Sequence, residues 1–380
     1  MKLLDGVKVI DFSKWLPGQY CGMLLGDYGA DIIKVEDLTG DSTRQFFPEK
    51  EQGMSYWHLM LNRNKRDIAL NIKTDGGKAI LTKLLSEADV FLEGFRPGYL
   101  ARYGLDYETI HKINPHLIYC SITGYGQNSH KPSHDLNVIG LAGLNSLDGA
   151  GNACVSEIQV SALGSSLNAL SAISMALFAR ERTGQGQHLD VNLYATALSL
   201  QVTGISSLWG CEETQSKPFG RIAHYYNIYK TKDNRWLTVG TIEPKFWQRF
   251  CDLIESPELK GRQYDFAHEE EIIAHVTQRI AQKTLAEWQA LIGTEEFCVT
   301  PVCSTEEALK TELTSQEDML RTVSSDLGSI RYVGGPVRFS DAAWEIQRRA
   351  PRLGEHTMEI LNELGYSKAC FAALKEEGAI

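Results

Sequence analysis

The sequence predicts an α/β fold in which a parallel sheet carries helices on both faces. Runs rich in β-branched residues, such as Val7–Asp11 and Asp31–Val35, are typical of strands buried inside such a sheet. Segments with helical periodicity alternate with these runs along the first half of the chain. That alternation indicates parallel strands joined by helical crossovers.

The elements can be justified in chain order. Pro17–Gly18 marks a loop after the first strand, and Gln19–Tyr28 is a predicted helix that Gly29 ends. The same criteria predict the later elements, which are a helix over Thr74–Ala88, strands at Val90–Leu92 and Leu117–Ile122, a long helix over Leu163–Arg182, and a strand followed by a helix over Leu189–Leu200.

The character of the sequence changes after this long helix. The polar stretch Cys211–Gly220 indicates a linker. Tyr225–Tyr229 and Trp236–Gly240 alternate aromatic and β-branched residues around Asp233–Asn234, which predicts a hairpin. We therefore expect a first part of a large domain at 1–200, a smaller α+β domain at 220–325, and a return to the large domain at 330–380.

Composition narrows the possible partners and surroundings. The 380 residues carry a net charge of −10, so nucleic acid and anionic membranes are not expected partners. No run reaches the ~18 consecutive apolar residues that a membrane span needs. The 8 cysteines form no CxxC pair and predict free thiols in a reducing cytoplasm.

Several kinds of functional site are not supported. Gly124-Tyr125-Gly126 follows a predicted strand, but Ser129 stands where a dinucleotide-binding GxGxxG motif has its third glycine. Neither a P-loop nor a GxSxG nucleophile motif occurs. The histidines lack metal-ligand spacing, so we expect neither a metal site nor a permanently bound cofactor.

A series of sequence blocks, in order, resembles the CoA-transferase family III, also called the CaiB/BaiF family. The blocks are LLDGVKVIDFSKWLPGQYCGMLLGDYGADIIKVED at 3–37, NRNKRDIALNIK at 62–73, DVFLEGFRPG at 89–98, NPHLIYCSITGYGQ at 114–127, RERTGQGQ at 180–187, VGTIEPKFW at 239–247 and GEHTMEILNELGYS at 354–367. Together they extend over nearly the whole chain.

The resemblance implies a Rossmann-like large domain, a smaller domain between its two parts, and an interlocked homodimer. It also implies an acyl-CoA substrate, with coenzyme A entering only as part of that substrate. By position, the residues implied to contact CoA are Leu70, Asn71, Ile72, Lys73, Gly94, Phe95, Arg96 and Arg102. Asp37 stands where some relatives have a basic residue, which puts a phosphate contact at that position in doubt.

The family contains two reaction types. In its transferases an aspartate attacks the acyl-CoA carbonyl as a nucleophile. In its α-methylacyl-CoA racemases a histidine and an aspartate exchange the α-proton from opposite sides. The SHDLN block at 133–137 resembles the racemase branch, which implies that His134 is a catalytic base. The alternative for His134 is a satisfied structural histidine. We expect Asp135 to be a local structural or orienting carboxylate. Glu243 matches a racemase glutamate that supports the histidine, although Pro244 equally suits a glutamate at a helix N-terminus.

Two positions depart from the racemase pattern. Ala162 occupies the position of the family aspartate, counted back from RERTGQGQ, and alanine offers neither a proton nor a nucleophile. Val138 stands where such racemases have tyrosine. We therefore expect an acyl-CoA enzyme of the 2-methylacyl-CoA racemase or epimerase type that Ala162 disables. A family III CoA-transferase and a non-catalytic CoA-binding subunit remain the alternatives. Ala162 could be an engineered replacement of aspartate, the mark of an inactive subunit, or part of an enzyme that works through His134 alone.

Overall fold

The computed structural model describes residues 2–46, 48–144, 154–214, 223–293 and 298–380. The chain forms two compact units. The larger unit comprises Met1–Gly204 and Asp318–Ile380, and the smaller unit comprises Ile205–Glu317. The larger unit is therefore assembled from both ends of the chain.

The strands, in chain order, are β1 (Lys8–Phe12), β2 (Asp31–Glu36), β3 (Glu49–Glu51), β4 (Met54–Ser55), β5 (Lys65–Ala69), β6 (Val90–Glu93), β7 (Ile118–Thr123), β8 (His188–Asn192), β9 (Tyr226–Lys230), β10 (Trp236–Gly240), β11 (Val299–Pro301), β12 (Leu320–Ser325) and β13 (Gly328–Val333). Six of them form a parallel sheet in the order β5-β2-β1-β6-β7-β8. The predicted parallel sheet is thus confirmed.

The helices, in chain order, are α1 (Trp15–Asp27), α2 (Tyr56–Leu61), α3 (Asp75–Ser86), α4 (Tyr107–Ile113), α5 (Asp135–Leu141), α6 (Val160–Thr183), α7 (Leu193–Ser199), α8 (Val202–Thr214), α9 (Pro244–Leu253), α10 (Glu269–Ile280), α11 (Leu285–Ile292), α12 (Thr305–Ala308), α13 (Glu312–Gln316), α14 (Thr357–Glu363) and α15 (Lys368–Glu377). Short 3-10 segments cover Ser42–Gln45, Leu100–Tyr103, Pro257–Arg262 and Phe266–His268.

Helices cover both faces of the sheet because side chains alternate along each strand. On one face, Ile10 of β1 packs in a core with residues of α3, α4, α14 and α15. On the other face, the neighbouring Val9 packs in a second core with residues of α1, α6 and α7. The C-terminal helices α14 and α15 belong to the first core, which ties the end of the chain to its beginning.

The smaller unit has its own core, in which Trp247, Phe250 and Trp288 are fully buried. The predicted hairpin is present, since β9 and β10 pair antiparallel with Leu237 opposite Tyr229. Asn234 takes a positive φ of 60° in the turn, a conformation that asparagine tolerates.

The predicted linker at 211–220 needs correction at its start. Helix α8 continues through Thr214, and the rest of that stretch lies outside the described residues. The polar residues that suggested a linker include Glu212 and Glu213, and glutamate is a good helix former.

Among the described residues, one helix has the length and hydropathy to cross a membrane. It is α6, with a mean hydropathy of 1.5 over an 18-residue window. Its Ala169, Ile173 and Ala176 are buried in the second core of the sheet. A core helix passes the same test of length and composition, so the finding is weak evidence for a membrane span.

Candidate acyl-CoA site

The order of the strands creates a crevice at one edge of the sheet. Strand β1 pairs with β2 on one side and with β6 on the other. The chain thus places β2 on one side of β1 and later returns to place β6 on the other side. In open parallel sheets ligands bind outside the carboxyl ends of the strands at such a switch point. The loops after Phe12 and Glu93 meet at this place, since a Cβ at Gly94 would stand 3.7 Å from the backbone nitrogen of Lys14.

A cavity of about 390 Å³ opens at this point, and we call it the His134 cavity. Most of its wall is formed by residues in the loops after β1, β6 and β7 and at the starts of α1, α5 and α6. Its lining includes Lys14, Trp15, Leu16, Pro17, Trp57, Gly94, Phe95, Arg96, Ile122, Lys131, His134, Asp135, Gln159, Ala162 and Leu193. His134 and position 162, which the sequence singled out separately, therefore line one cavity.

His134 stands at the N-cap of α5 with an extended backbone, φ −127° and ψ 163°. Its ring meets the indole of Trp15 edge-on, with the ring centroids 6.0 Å apart. The ring is exposed and makes no hydrogen bond to the described part of the chain. A satisfied structural histidine would be buried and bonded, so this geometry suits a histidine that acts on a ligand.

Asp135 and Ala162 are in direct contact. The Asp135 carboxylate accepts hydrogen bonds from the Ala162 N–H at 2.8 Å and from the Ser161 hydroxyl at 2.6 Å. A carboxylate at the N-terminus of a helix satisfies free N–H groups and complements the helix dipole. Asp135 therefore anchors the first turn of α6, and the side chain of Ala162 adds only a methyl group to the cavity wall.

A buried charge pair holds the loop that begins the cavity. Asp11, at the end of β1, accepts hydrogen bonds from the Ser13 N–H at 3.0 Å and from the Lys65 ammonium at 2.8 Å. Gly18 lies so close that a Cβ there would stand 2.2 Å from the Cβ of Ser13. The hydrogen bonds of Asp11 therefore fix the loop between β1 and α1. The close approach of Gly18 to Ser13 also means that no larger residue fits at position 18.

A second cavity of about 280 Å³ shares Lys14 and Phe95 with the first, and we call it the nucleotide cavity. The remaining residues of its lining are Phe12, Asp37, Leu38, Thr39, Asn71, Ile72, Lys73 and Tyr99. Asn71, Ile72, Lys73 and Phe95 were among the predicted CoA contacts. Gly94 and Arg96, two more of that set, line the His134 cavity.

The two remaining predicted contacts stand elsewhere. The Leu70 side chain is buried in the core, and its N–H donates to the carbonyl of Glu36 at 2.8 Å. Arg102 is exposed on the 3-10 segment Leu100–Tyr103 and lines neither cavity. Leu70 can therefore reach a ligand only through its carbonyl group.

The structure explains the departure at Asp37. The Lys14 ammonium binds its carboxylate at 2.9 Å and lies 5.9 Å from the centre of the Phe95 ring. Asp37 thus fixes a lysine at the junction of the two cavities, although it also places a negative charge in the nucleotide cavity.

Comparison with known proteins assigns the family. The sequence pattern of CoA-transferase family III matches residues 4–357. The chain belongs to CoA-transferase family III. It is 32% identical to succinyl-CoA:glutarate CoA-transferase of Mus musculus, over 100% of this chain and 91% of that protein. It is 33% identical to α-methylacyl-CoA racemase of Mus musculus, over 96% of this chain and 94% of that protein.

Solved structures agree with this assignment. A CaiB/BaiF family protein from Brucella suis superposes with a TM-score of 0.81 and 27% identity, over 95% of this chain and 99% of that one. Rv3272 from Mycobacterium tuberculosis gives a TM-score of 0.82 at the same identity, with the same two coverages. The α/β fold with its parallel sheet is therefore that of the CaiB/BaiF proteins.

Sequence reasoning missed one polar cluster beside this family III site. Glu93 ends β6 and is almost fully buried, and it accepts a hydrogen bond from the Phe95 N–H at 2.7 Å. Burial raises the pKa of Glu93 to about 7, although the hydrogen bonds from the Ser121 hydroxyl and the Phe95 N–H lower it in part. The Ser121 hydroxyl also lies 3.0 Å from Nε2 of His188. A glutamate at the end of an otherwise apolar strand is the signal that could have revealed this cluster.

Glu243 belongs to the smaller unit. It is the exposed N-cap of α9, and its carbonyl accepts the N–H groups of Phe246 at 2.9 Å and Trp247 at 3.1 Å. Pro244 occupies the first turn of the helix, as the sequence suggested. The position suits a glutamate at a helix N-terminus, and its role toward His134 stays a prediction.

The described residues contain no group of three or more His, Cys, Asp and Glu side chains that could hold a metal ion. All eight cysteines are free thiols. In the described part of the family III site, the charged or titratable side chains that line the His134 cavity are those of Lys14, Arg96, Lys131, His134 and Asp135.

Proposed function

We propose that this family III protein is an acyl-CoA-processing enzyme of the 2-methylacyl-CoA racemase or epimerase type. One observation supports the proposal above others. A single cavity at the switch point of the sheet holds His134, Asp135 and position 162 together, beside a second cavity lined by four of the predicted CoA contacts. The thioester would lie in the His134 cavity, and the nucleotide part of CoA would lie in the neighbouring one.

The proposed reaction is proton exchange at the α-carbon. A ring nitrogen of His134 removes the α-proton, and the electron pair moves to the thioester carbonyl to give an enolate. An acid on the other side of the α-carbon then returns a proton to the opposite face. In this proposal Glu243 supports the histidine, an assignment that rests on the resemblance alone.

Ala162 cannot supply that second acid. Its methyl group carries no titratable proton, and Asp135 beside it is engaged by two hydrogen bonds from the start of α6. We propose that the chain as written turns over slowly for this reason. Removing a general acid or base costs a typical enzyme about 10²–10⁴-fold in rate.

The test restores the carboxylate. The Ala162→Asp variant, given one epimer of a 2-methylacyl-CoA in deuterated water, should epimerise it and incorporate deuterium at the α-carbon. The unmodified chain and the double variant Ala162→Asp with His134→Gln are the matched controls. They should be slower by about 10²-fold or more. Failure of the restored variant to exchange the α-proton, while it still binds CoA, would rule out the racemase proposal.

The second candidate is a family III CoA-transferase, favoured by the transferase among the relatives described above. In that reaction a carboxylate at position 162 would attack the thioester carbonyl and expel the CoA thiolate, which leaves a mixed anhydride. The thiolate would then attack the aspartyl carbonyl, release the free acid and form an aspartyl-CoA thioester. The acceptor carboxylate would attack this thioester and expel the thiolate, which would then attack the acceptor's carbonyl in the new anhydride and free the aspartate. Ala162→Asp should in that case move CoA from an acyl-CoA to a carboxylic acid without exchanging α-protons.

A non-catalytic CoA-binding subunit is the third possibility. It predicts that the unmodified chain binds CoA and that Ala162→Asp remains inactive in both assays. The natural codon at position 162 adds a direct check, because an aspartate codon would identify Ala162 as an engineered replacement.

We further propose that the protein is a cytoplasmic homodimer, interlocked as the family resemblance implies. The larger unit exposes large apolar side chains on α6 and around α7, among them Leu167, Met175, Phe178, Leu200 and Val202. Clusters of exposed large apolar side chains mark protein interfaces in soluble proteins. The family resemblance implies that the partner at this surface is a second copy of the chain.

A further inference from the structure

One side of the His134 cavity is formed by aromatic rings in series, which we call the aromatic wall. The wall consists of Trp15 and Trp57, which line the cavity, and of Phe46, whose ring contacts both of them from behind the lining. The centroids of Trp15 and Phe46 lie 5.7 Å apart at 83°, and those of Phe46 and Trp57 lie 5.2 Å apart at 47°. The wall begins at the proposed base, because Trp15 also meets the ring of His134 edge-on.

Trp15 is held at this place against its backbone preference. Its φ is 61°, in the left-handed region that non-glycine residues rarely adopt. Strained backbone of this kind persists where the surrounding structure holds it, and it concentrates at functional sites. Here the anchored Asp11–Ser13 turn precedes Trp15, and helix α1 starts with it. More than a third of the Trp15 surface nevertheless stays exposed, at 37%.

Besides His134, the lining of the cavity carries the charged side chains of Lys14, Arg96, Lys131 and Asp135, and two of these are already engaged. Lys14 is bound by Asp37 at the junction with the nucleotide cavity. Asp135 is bound by the first turn of α6. Next to Trp15 along the chain, the lining continues with Leu16 and Pro17. The part of the lining formed by Trp15, Leu16 and Pro17 is therefore suited to hydrocarbon, whereas Arg96 and Lys131 give another part of it positive charge.

We propose that the aromatic wall binds the acyl group and selects an apolar chain, branched or aromatic, over one that ends in a carboxylate. This inference rests on the proposed function, since it presumes that the thioester lies beside His134. An apolar acyl group would bury its surface against the indole of Trp15. An acyl group with a terminal carboxylate would place its charge against the same apolar rings, where the carboxylate loses hydration.

Equilibrium binding tests the proposal without requiring turnover. Isothermal titration of the unmodified chain would compare free CoA, phenylacetyl-CoA, 2-methylbutanoyl-CoA and succinyl-CoA. We expect both apolar thioesters to bind roughly tenfold or more tightly than succinyl-CoA, the size of effect that a few buried carbon groups give. Trp15→Gly, which accepts a positive φ without strain, should remove most of this preference and change free CoA binding by less than about threefold.

Two further variants keep the result interpretable. Trp57→Leu trims the other end of the wall and should reduce the preference for phenylacetyl-CoA, so the test does not depend on the folding of one variant. Trp236→Ala, on a strand of the smaller unit, is the matched control and should leave the preference intact. Succinyl-CoA binding as tightly as the apolar thioesters, or a preference that survives Trp15→Gly and Trp57→Leu, would overturn the inference while leaving the proposed function standing. Absence of binding by CoA and by every thioester would overturn both.

Discussion

The buried carboxylate of Glu93 holds the loop that lies between the two cavities. Its carboxylate lies under the turn that carries Gly94, Phe95 and Arg96, and it accepts the Phe95 N–H at 2.7 Å. These three residues line the His134 cavity, and Phe95 also lines the nucleotide cavity. The shape of that turn therefore depends on a group whose charge changes near neutral pH.

Glu93 should make stability depend on pH. Burial raises its pKa from 4.5 to about 7, so between those values the folded protein keeps a proton that the unfolded chain has released. The corresponding stability is fully present below about pH 4.5 and is lost as the pH rises through 7. Glu93→Gln should therefore gain stability relative to the unmodified protein between pH 5 and pH 8, by about 2–3 kcal/mol.

Urea unfolding at the two pH values would measure this gain. Glu87→Gln, at an exposed glutamate, is the matched control and should show no such gain. An equal difference between Glu93→Gln and the unmodified protein at both pH values would show that Glu93 does not titrate in this range.

The positions of single residues could be predicted from the sequence to different degrees, for physical reasons. His134 and position 162 lie in blocks whose order the family fixes, so sequence reasoning could name both, and the structure brings them to one cavity. The pairing of Lys14 with Asp37 joins two loops after different strands and could not be read from spacing. Leu70 was predicted to contact CoA because of its position in the sequence block, whereas its side chain is buried in the core.

Helix α6 is the element on which the candidate chemistry depends. It runs for 24 residues, and its first turn presents Ala162 to the cavity. Its N-cap residue, Gln159, makes no side-chain capping bond, so Asp135 supplies the cap from another helix. The start of α6 and the start of α5 are thereby fixed to each other.

Removal of this cap should cost stability. Asp135→Ala leaves the Ala162 N–H and the Ser161 hydroxyl without their acceptor and should lower the free energy of unfolding by about 1–2 kcal/mol. Asp135→Asn keeps an acceptor oxygen and should cost less. Asp106→Ala removes a comparable cap, from α4, and is the control for a cap away from α6.

Urea titrations and measurements of thioester binding would distinguish the effects of the Asp135 cap and the Asp106 cap. Both alanine variants should lose stability, but only Asp135→Ala should also change thioester binding. If Asp135→Ala were as stable as the unmodified protein, Asp135 would not be anchoring α6.

At the level of elements, the sequence predicted the central sheet well because strand and helix periodicities alternate clearly there. The long helix predicted over Leu163–Arg182 begins earlier, at Val160. Its first turn contains the small residues Ser161 and Ala162, which hydrophobic periodicity does not mark, and Asp135 from another helix caps it. The strand β5 was not predicted because Lys65, Arg66 and Asp67 look solvent-exposed in sequence. In the structure they are buried by ion pairs with partners on other elements.

At the scale of the whole molecule, the proposed homodimer rests on large apolar side chains that are exposed on α6. Met175 and Phe178 on α6 are 65% and 66% exposed. These side chains lie on the helix that carries Ala162 at its other end, so the proposed dimer and the proposed site share one element. No periodicity in the sequence could have shown the interlocking that the family resemblance implies, since it depends on the path of two chains.

Charge on this surface should separate the subunits. The double variant Met175→Glu with Phe178→Glu should shift the molar mass in light scattering from that of a dimer toward that of one chain of 42.4 kDa. Buried carboxylates without partners oppose association strongly. Glu181→Lys, on the same helix, is a control for a charge change alone. A monomeric unmodified protein would contradict the proposed dimer directly.

The location of a bound acyl-CoA tests the central claim most directly. A crystal structure of the unmodified chain with a 2-methylacyl-CoA should place the nucleotide against Asn71 and Lys73. It should also place the α-carbon within about 3–4 Å of the His134 ring, the distance that proton transfer requires. An acyl group bound outside the His134 cavity, or a thioester whose α-carbon is shielded from His134, would contradict the account.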